Sequence, residues 1–363
     1  MYTDKNSVKY DPPAKCDKRK ESVGFFRSFV IRRLNLLVML SAAVMLAGCG
    51  AGSDAGNAAL KQKAAVENKE VKQETEAETQ NGVIAFTDDL GRELSIERPN
   101  RVIAMIGSFA DIWYLAGGAD TLAATANDAW TSFDLELEGV ADIGGVKEPN
   151  LETILDAEPD FIIGSVKTTS NLELMETFEQ AGIPIAYFEV NGFDDYLRML
   201  KICTELTGKP EFYEEYGVKV EQQIQKVLER RTEEHPTVLT IRATGSSCKV
   251  KNSTGTVMGE MLYDLGCVNI ADSDETLLEN LSMEAIIAAD PDYIFVVLQG
   301  ADSTKAEQTM EKTLLANPAW SRLRAVENGN FHVMEHRLYN LKPNAQWGDA
   351  YEKLADILYP QRE

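Results

Sequence analysis

A twelve-residue segment occurs twice in this chain. Leu151-Glu-Thr-Ile-Leu-Asp-Ala-Glu-Pro-Asp-Phe-Ile162 aligns without gaps on Met283-Glu-Ala-Ile-Ile-Ala-Ala-Asp-Pro-Asp-Tyr-Ile294, with six positions identical. Each copy reads as a helix, a Pro-Asp stop and then an apolar strand. The residue before a proline is driven out of the right-handed helical region, so the stop is sharp. A duplicated helix–stop–strand unit predicts two lobes of like architecture, with Glu152 and Glu284 at equivalent positions.

The rest of the body fits that plan. Short apolar runs at Val102–Gly107, Phe161–Ser165, Ile185–Val190, Val238–Ala243, Tyr293–Leu298 and Phe331–Met334 read as buried strands. Helical patterns separate them, among them Asp111–Leu115, Leu172–Ala181 and Val257–Leu265. Such alternation predicts an α/β fold: parallel sheets with helices on both faces. Between the repeats, Phe212, Tyr216, Val220, Ile224 and Leu228 recur every four residues, with charged and amide side chains opposite. This spacing predicts one amphipathic helix of roughly 24 residues over 210–235, bridging the lobes. The expected organisation is an N-terminal lobe at 82–192, a connecting helical segment at 193–235 and a C-terminal lobe at 236–363.

The first 81 residues are of another kind. Lys15, Lys18, Arg19, Lys20, Arg27, Arg32 and Arg33 precede an apolar run from Leu34 to Ala47. The run is shorter than the about 20 residues that a membrane span needs, and small residues follow it, which is the pattern of a secretory signal. Its end, Leu46-Ala47-Gly48-Cys49, resembles the lipobox of bacterial lipoproteins. That resemblance implies that Cys49 is acylated and that residues 1–48 are removed. Residues 49–81 hold few apolar side chains and read as a flexible tether. Anchor, tether and body place the body just outside a membrane.

Composition excludes several alternatives. With 58 acidic against 36 basic residues the net charge is −22, which disfavours nucleic acid. Losing the basic leader leaves the remainder more acidic still. Three histidines make a bare zinc or manganese site unexpected, since His332 and His336 do not share a helix face, His235 ends the bridging helix and the N-lobe has none. Outside the membrane, Cys248 and Cys267 are open to pairing, with Cys203 left over in an apolar helix.

Lipobox, tether, two α/β lobes and a connecting helix together resemble the substrate-binding proteins of bacterial ABC importers, in the class with one helical backbone. Asp88-Asp-Leu-Gly-Arg-Glu-Leu-Ser-Ile followed by Pro99-Asn-Arg-Val is similar to that family's opening hairpin and first strand. Ile143-Gly-Gly…Asn150-Leu-Glu-Thr-Ile, Gly259-Glu-Met-Leu…Leu265-Gly-Cys-Val-Asn-Ile and Trp320…Leu323…Ala325-Val-Glu-Asn-Gly-Asn-Phe-His-Val resemble its later motifs. The resemblance implies a monomeric carrier with a ligand cleft between the lobes and no intrinsic cofactor. Its cargo would be an iron-siderophore, haem or corrinoid complex. Its partners would be a permease dimer with a cytoplasmic ATPase, docked through Glu152 and Glu284.

In open α/β sheets ligands sit beyond the carboxyl ends of the strands. Those ends offer Ser108 and Lys167 in the first lobe, with Trp130 in a loop between elements. In the second they offer Arg242 and Ser246, then the loop of Arg337, Tyr339, Asn340 and Lys342, with Trp347 opening the last helix. Cations beside flat aromatic faces suit an anionic chelate. A lipid-anchored enzyme on the same fold is the competing class, but no Gly-x-Ser-x-Gly, P-loop or His-Glu-x-x-His motif occurs. A sensor partner or adhesin is a third.

Overall fold

The structure is a computed structural model and describes residues 82–133, 135–279, 281–300 and 303–360. The signal at 1–48, Cys49 and the tether at 49–81 lie outside the described residues.

The body opens with a hairpin, β1 (Val83–Thr87) and β2 (Glu93–Glu97). Asp88 shapes its turn by accepting from the Leu90 and Arg92 amides at 3.1 and 3.0 Å, and it also accepts from the Tyr187 amide at 3.1 Å. The hairpin is thereby fastened to the first lobe.

That lobe carries five parallel strands in the order β5-β4-β3-β8-β9: β3 (Val102–Ala104), β4 (Leu122–Thr125), β5 (Ala141–Asp142), β8 (Phe161–Ser165) and β9 (Ile185–Phe188). A short hairpin, β6 (Gly144–Gly145) with β7 (Glu148–Pro149), lies between β5 and β8. The strand predicted over 102–107 is shorter than expected, because helix α1 (Gly107–Trp113) starts at Gly107. A Cβ there would meet the Ala129 backbone nitrogen at 2.5 Å, so glycine lets α1 press against helix α2 (Asp128–Ser132).

The second lobe holds β10 (Thr237–Ala243), β11 (Cys248–Lys251), β12 (Val268–Asn269), β13 (Tyr293–Leu298) and β14 (Phe331–Met334), in the order β11-β10-β13-β14 with β12 also on β10. Its sheet is mixed, not wholly parallel: β11 turns back antiparallel on β10. Cys248 and Val250 are buried while Lys249 is exposed, the alternation of an edge strand.

Both sheets are buried on two faces, and the period of two along each strand builds the cores. In the first lobe Val102, Ala104, Phe161 and Ile163 point to one core, and Ile103, Ile162, Ile185 and Tyr187 to another. In the second, Val238, Phe295 and Val297 point to the same core as Val102, while Leu239, Ile241, Ile294 and Val296 point away. One apolar core therefore runs through both lobes, a joint that resists independent movement.

The repeat is reproduced in three dimensions. Helix α3 (Leu151–Asp156) leads into β8 and helix α7 (Met283–Ala289) into β13. Asn150 caps α3 by accepting from the Thr153 amide at 3.2 Å, and Ser282 caps α7 by accepting from the Ala285 amide at 3.3 Å. The residue before each proline, Glu158 or Asp290, adopts a left-handed conformation with φ of 46° and 43°. Each following aspartate then accepts from the central strand's start: Asp160 from the Arg101 amide at 2.9 Å, Asp292 from the Thr237 amide at 2.9 Å.

Helix α4 (Phe193–Thr207) ends at Gly208, and a second helical stretch runs from Glu211 to Leu228, its last part being α5 (Lys219–Leu228). Val220, Ile224 and Val227 are buried, and α5 packs along the C-terminal helix α8 (Trp347–Leu358). The bridge stops before the predicted end at 235. Arg231 folds back to donate to the Leu228 carbonyl at 3.0 Å and to the Asp264 carbonyl at 2.9 Å, so the chain leaves the helix there. His235 consequently lies in the following loop. Helix α6 (Val257–Asp264) follows β11. Cys203, Cys248 and Cys267 are all buried and free, so no Cys248–Cys267 bridge forms.

Candidate functional site

The strand ends of the two lobes carry opposite chemistry. In the first lobe, Asp128 at the start of α2 accepts from the Gly107 amide at 2.8 Å, and burial raises its carboxyl above the usual range. Beyond β8 and β9, Lys167 pairs with Glu189 at 2.8 Å, and Asn191 donates to Glu189 at 2.6 Å. The hydrogen bond from Lys167 is the main reason the Glu189 carboxyl is held low.

In the second lobe the cations lack such partners. Arg242, near the end of β10, is desolvated by burial, which pushes its guanidinium down. Lys251 on β11 is pushed down by burial and then by Arg242 and Lys249. Lys342, in the loop after β14, is held down to about 8 by burial and then by Arg242. Asp128 and Glu189 pull Lys342 the other way and Lys167 adds repulsion, so charges from both lobes act on this one ammonium. Among the described residues, the charged groups of Arg242, Lys251 and Lys342 form no ion pair or hydrogen bond of their own. Arg242 and Lys251 line a recess with Thr240, Thr256, Met258 and Asn340. Beside it, His336 is turned by its Nδ1 contact with the Leu298 carbonyl at 2.6 Å.

A separate polar knot ties the lobes. Asp111, on the wholly buried α1, accepts from Arg337 at 3.0 Å and from Asn344 at 2.7 Å, and Asn344 also donates to the Ser108 carbonyl at 2.9 Å. Arg337 lies 4.1 Å from the centre of the Phe133 ring and donates to the Lys342 carbonyl. Asn344 is buried with φ of 57°.

The predicted site residues divide accordingly. Arg242 and Lys167 lie in the shared field of Lys342. Ser246 is exposed in the β10–β11 turn, beside Thr244. Trp130 sits half-buried on α2 rather than in a loop. Ser108 is buried beneath the knot. Arg337 is held by Asp111, by the Phe133 ring and by its own loop, with its side chain 22% exposed. Trp347 is wholly buried against Phe193, at 6.1 Å between ring centres, so it belongs to the helix packing and not to the cleft wall. Tyr339 is also buried, its hydroxyl donating to the Ala350 carbonyl at 3.0 Å, yet it lines the recess of Arg242 and Lys251. Sequence reasoning passed over Asp111, Asn344, Asp128 and Lys251. Only Asp111 carried a signal: a carboxylate among Ala110, Ile112 and Trp113 requires a buried partner.

Glu152 and Glu284 occupy the first turns of α3 and α7, and both are exposed.

Comparison with known proteins agrees with this architecture. Residues 102–338 match the family model described as periplasmic binding protein. An uncharacterized ABC transporter substrate-binding lipoprotein of Bacillus subtilis, YvrC, is 22% identical over 335 residues, covering 89% of this chain and 95% of the relative. Among solved structures, the apo form of the periplasmic heme-binding protein RhuT of Roseiflexus sp. RS-1 aligns with a TM-score of 0.59 at 22% identity, covering 72% of this chain and 98% of that one. The periplasmic vitamin B12-binding protein BtuF of Vibrio cholerae aligns with a TM-score of 0.59 at 20% identity, covering 72% and 97%. Two lobes, one bridging helix and a match across both sheets lead to one conclusion: the chain belongs to the periplasmic binding protein family.

Proposed function

We propose that the protein is the extracytoplasmic substrate-binding component of an ABC importer, anchored through a lipid on Cys49, and that its cargo is an anionic iron complex, a siderophore chelate or haem. The observation that carries the cargo reading is the group of Arg242, Lys251 and Lys342, three desolvated cations that make no ion pair among the described residues, in a chain of net charge −22. Desolvated cations without counter-charges are costly to keep, and a bound anion relieves that cost. Carboxylate or catecholate oxygens of a ferric chelate and the propionates of haem supply such charge. Lys167, Ser246 and Trp130 complete the proposed wall, while Glu152 and Glu284 face a permease dimer with its ATPase. The protein then acts as a monomer.

A corrinoid is the alternative cargo, since a relative of this fold carries vitamin B12 in its name. Tryptophan-fluorescence titration with ferric citrate, haem and cobalamin separates the two. The expected result is saturable binding of an anionic iron complex and weak or no response to cobalamin. Lys342 binds an anion best when charged, so affinity holds below about pH 7. As pH rises through the Lys342 value of about 8, it falls by up to about tenfold per unit. Tight cobalamin binding, or affinity independent of pH, removes the anionic reading.

A further inference from the structure

The duplicated segment carries more than two glutamates. Three positions after Glu152 stands Leu155, and three after Glu284 stands Ile287. Residues three apart share a helix face, so each glutamate has an aliphatic neighbour beside it. Both aliphatics are exposed, Leu155 at 39% and Ile287 at 43%. They are two of the seven large apolar side chains exposed among the described residues, and they fall at matching places in the repeat. The residue just before each, Ile154 or Ile286, is fully buried, so the helices are anchored inward and the exposed pair is not a frayed end. Burial classes agree at every position from 151 to 156 against 283 to 288. Neither glutamate makes a side-chain ion pair or hydrogen bond among the described residues.

A single exposed leucine on a surface needs no explanation. A matched pair does, because the same acidic–aliphatic couple is presented once by each of two like lobes. The surface complementary to it has two equivalent sites, each with a cation beside an apolar hollow, as a two-fold symmetric partner provides. We infer that Leu155 and Ile287 are docking knobs that seat in paired apolar hollows of the importer's permease dimer, each beside the cation that meets Glu152 or Glu284. This rests on the docking reading proposed above. The division of labour follows from the physics: the carboxylates steer and orient through a salt-screened field, and the aliphatics slow dissociation through burial, which salt does not screen.

The test is docking of the full chain, with haem added as the probe, to its own permease–ATPase complex in nanodiscs, at low and high salt. Leu155→Ser with Ile287→Ser is expected to weaken docking by about tenfold at both salt concentrations, with melting temperature and ligand affinity unchanged. Leu155→Met with Ile287→Met, which keeps an apolar knob, is expected to dock like the parent. Glu152→Gln with Glu284→Gln is expected to weaken docking at low salt and flatten its salt dependence. Should the glutamate pair matter while the serine pair docks like the parent, the knobs are refuted and the docking reading survives. If neither pair changes docking, both fall. If only the serine pair matters, the knobs stand and the role of the glutamates is lost.

Discussion

The two lobes share a scaffold and differ where their strands end. Cap, helix, left-handed turn, proline and strand-anchoring aspartate recur in the same order around Asn150–Asp160 and Ser282–Asp292. Yet the first lobe sets Asp128 and a satisfied Lys167–Glu189 pair at its rim, while in the second Arg242, Lys251 and Lys342 make no ion pair among the described residues. The likeness holds along the outer helices and fails at the strand ends. The proposed division of labour follows that difference, with docking assigned to the helices and cargo to the strand ends.

The largest effect is expected where the lobes meet. Asp111→Ala leaves the Arg337 guanidinium and the Asn344 amide without their buried acceptor, and chemical denaturation should show a loss of about 3 kcal/mol. A loss within about 0.5 kcal/mol would mean that the shared apolar core joins the lobes without this knot.

Next comes the asymmetry of the rims. Arg242→Ala with Lys251→Ala should weaken an anionic chelate by about 100-fold, some 2.7 kcal/mol, in a fluorescence titration. Lys167→Ala should cost less than about threefold, because its ammonium is half-exposed and already neutralised by Glu189. Equal losses from the two lobes would erase the proposed division.

The smallest effect probes the shared turn. Among the described residues Glu158 makes no side-chain hydrogen bond or ion pair, so Glu158→Gly relieves a left-handed residue and should stabilise by about 0.5 kcal/mol. Asp290 has the same conformation but accepts from the Arg324 amide at 2.8 Å and from its guanidinium at 3.3 Å. Asp290→Gly should therefore destabilise by about 1 kcal/mol. Thermal melts that move in the same direction for both would show that the two turns are not energetically distinct.

Much of the fold was legible because its signals are local. The apolar runs at Phe161–Ser165 and Tyr293–Leu298 appear as strands of the predicted extent, and of the four-residue series Val220 and Ile224 are buried while Phe212, Tyr216 and Leu228 are half-buried. The edge strand β11 was missed because Cys-Lys-Val-Lys is too short to stand out beside a turn. Strand β4 was missed because Leu-Ala-Ala-Thr has little intrinsic strand preference and is held by its neighbours.

The site was less legible. Arg242 and Arg337 look alike in the sequence, one near the end of an apolar strand and the other just beyond one. One is left unpaired, and the other is bound to an aspartate 226 positions away. Trp347 looks like an exposed start to a helix, but Phe193 covers it from an element far upstream. The amino-acid sequence alone determined the duplicated lobes, the doubly buried sheets, the bridging helix and the matched glutamates, since proline stops and periods of two and 3.6 act over a few residues. Tertiary structure decided which cations remain free for an anion, because a charge is spent or spared by partners that only the folded chain brings within about 3 Å.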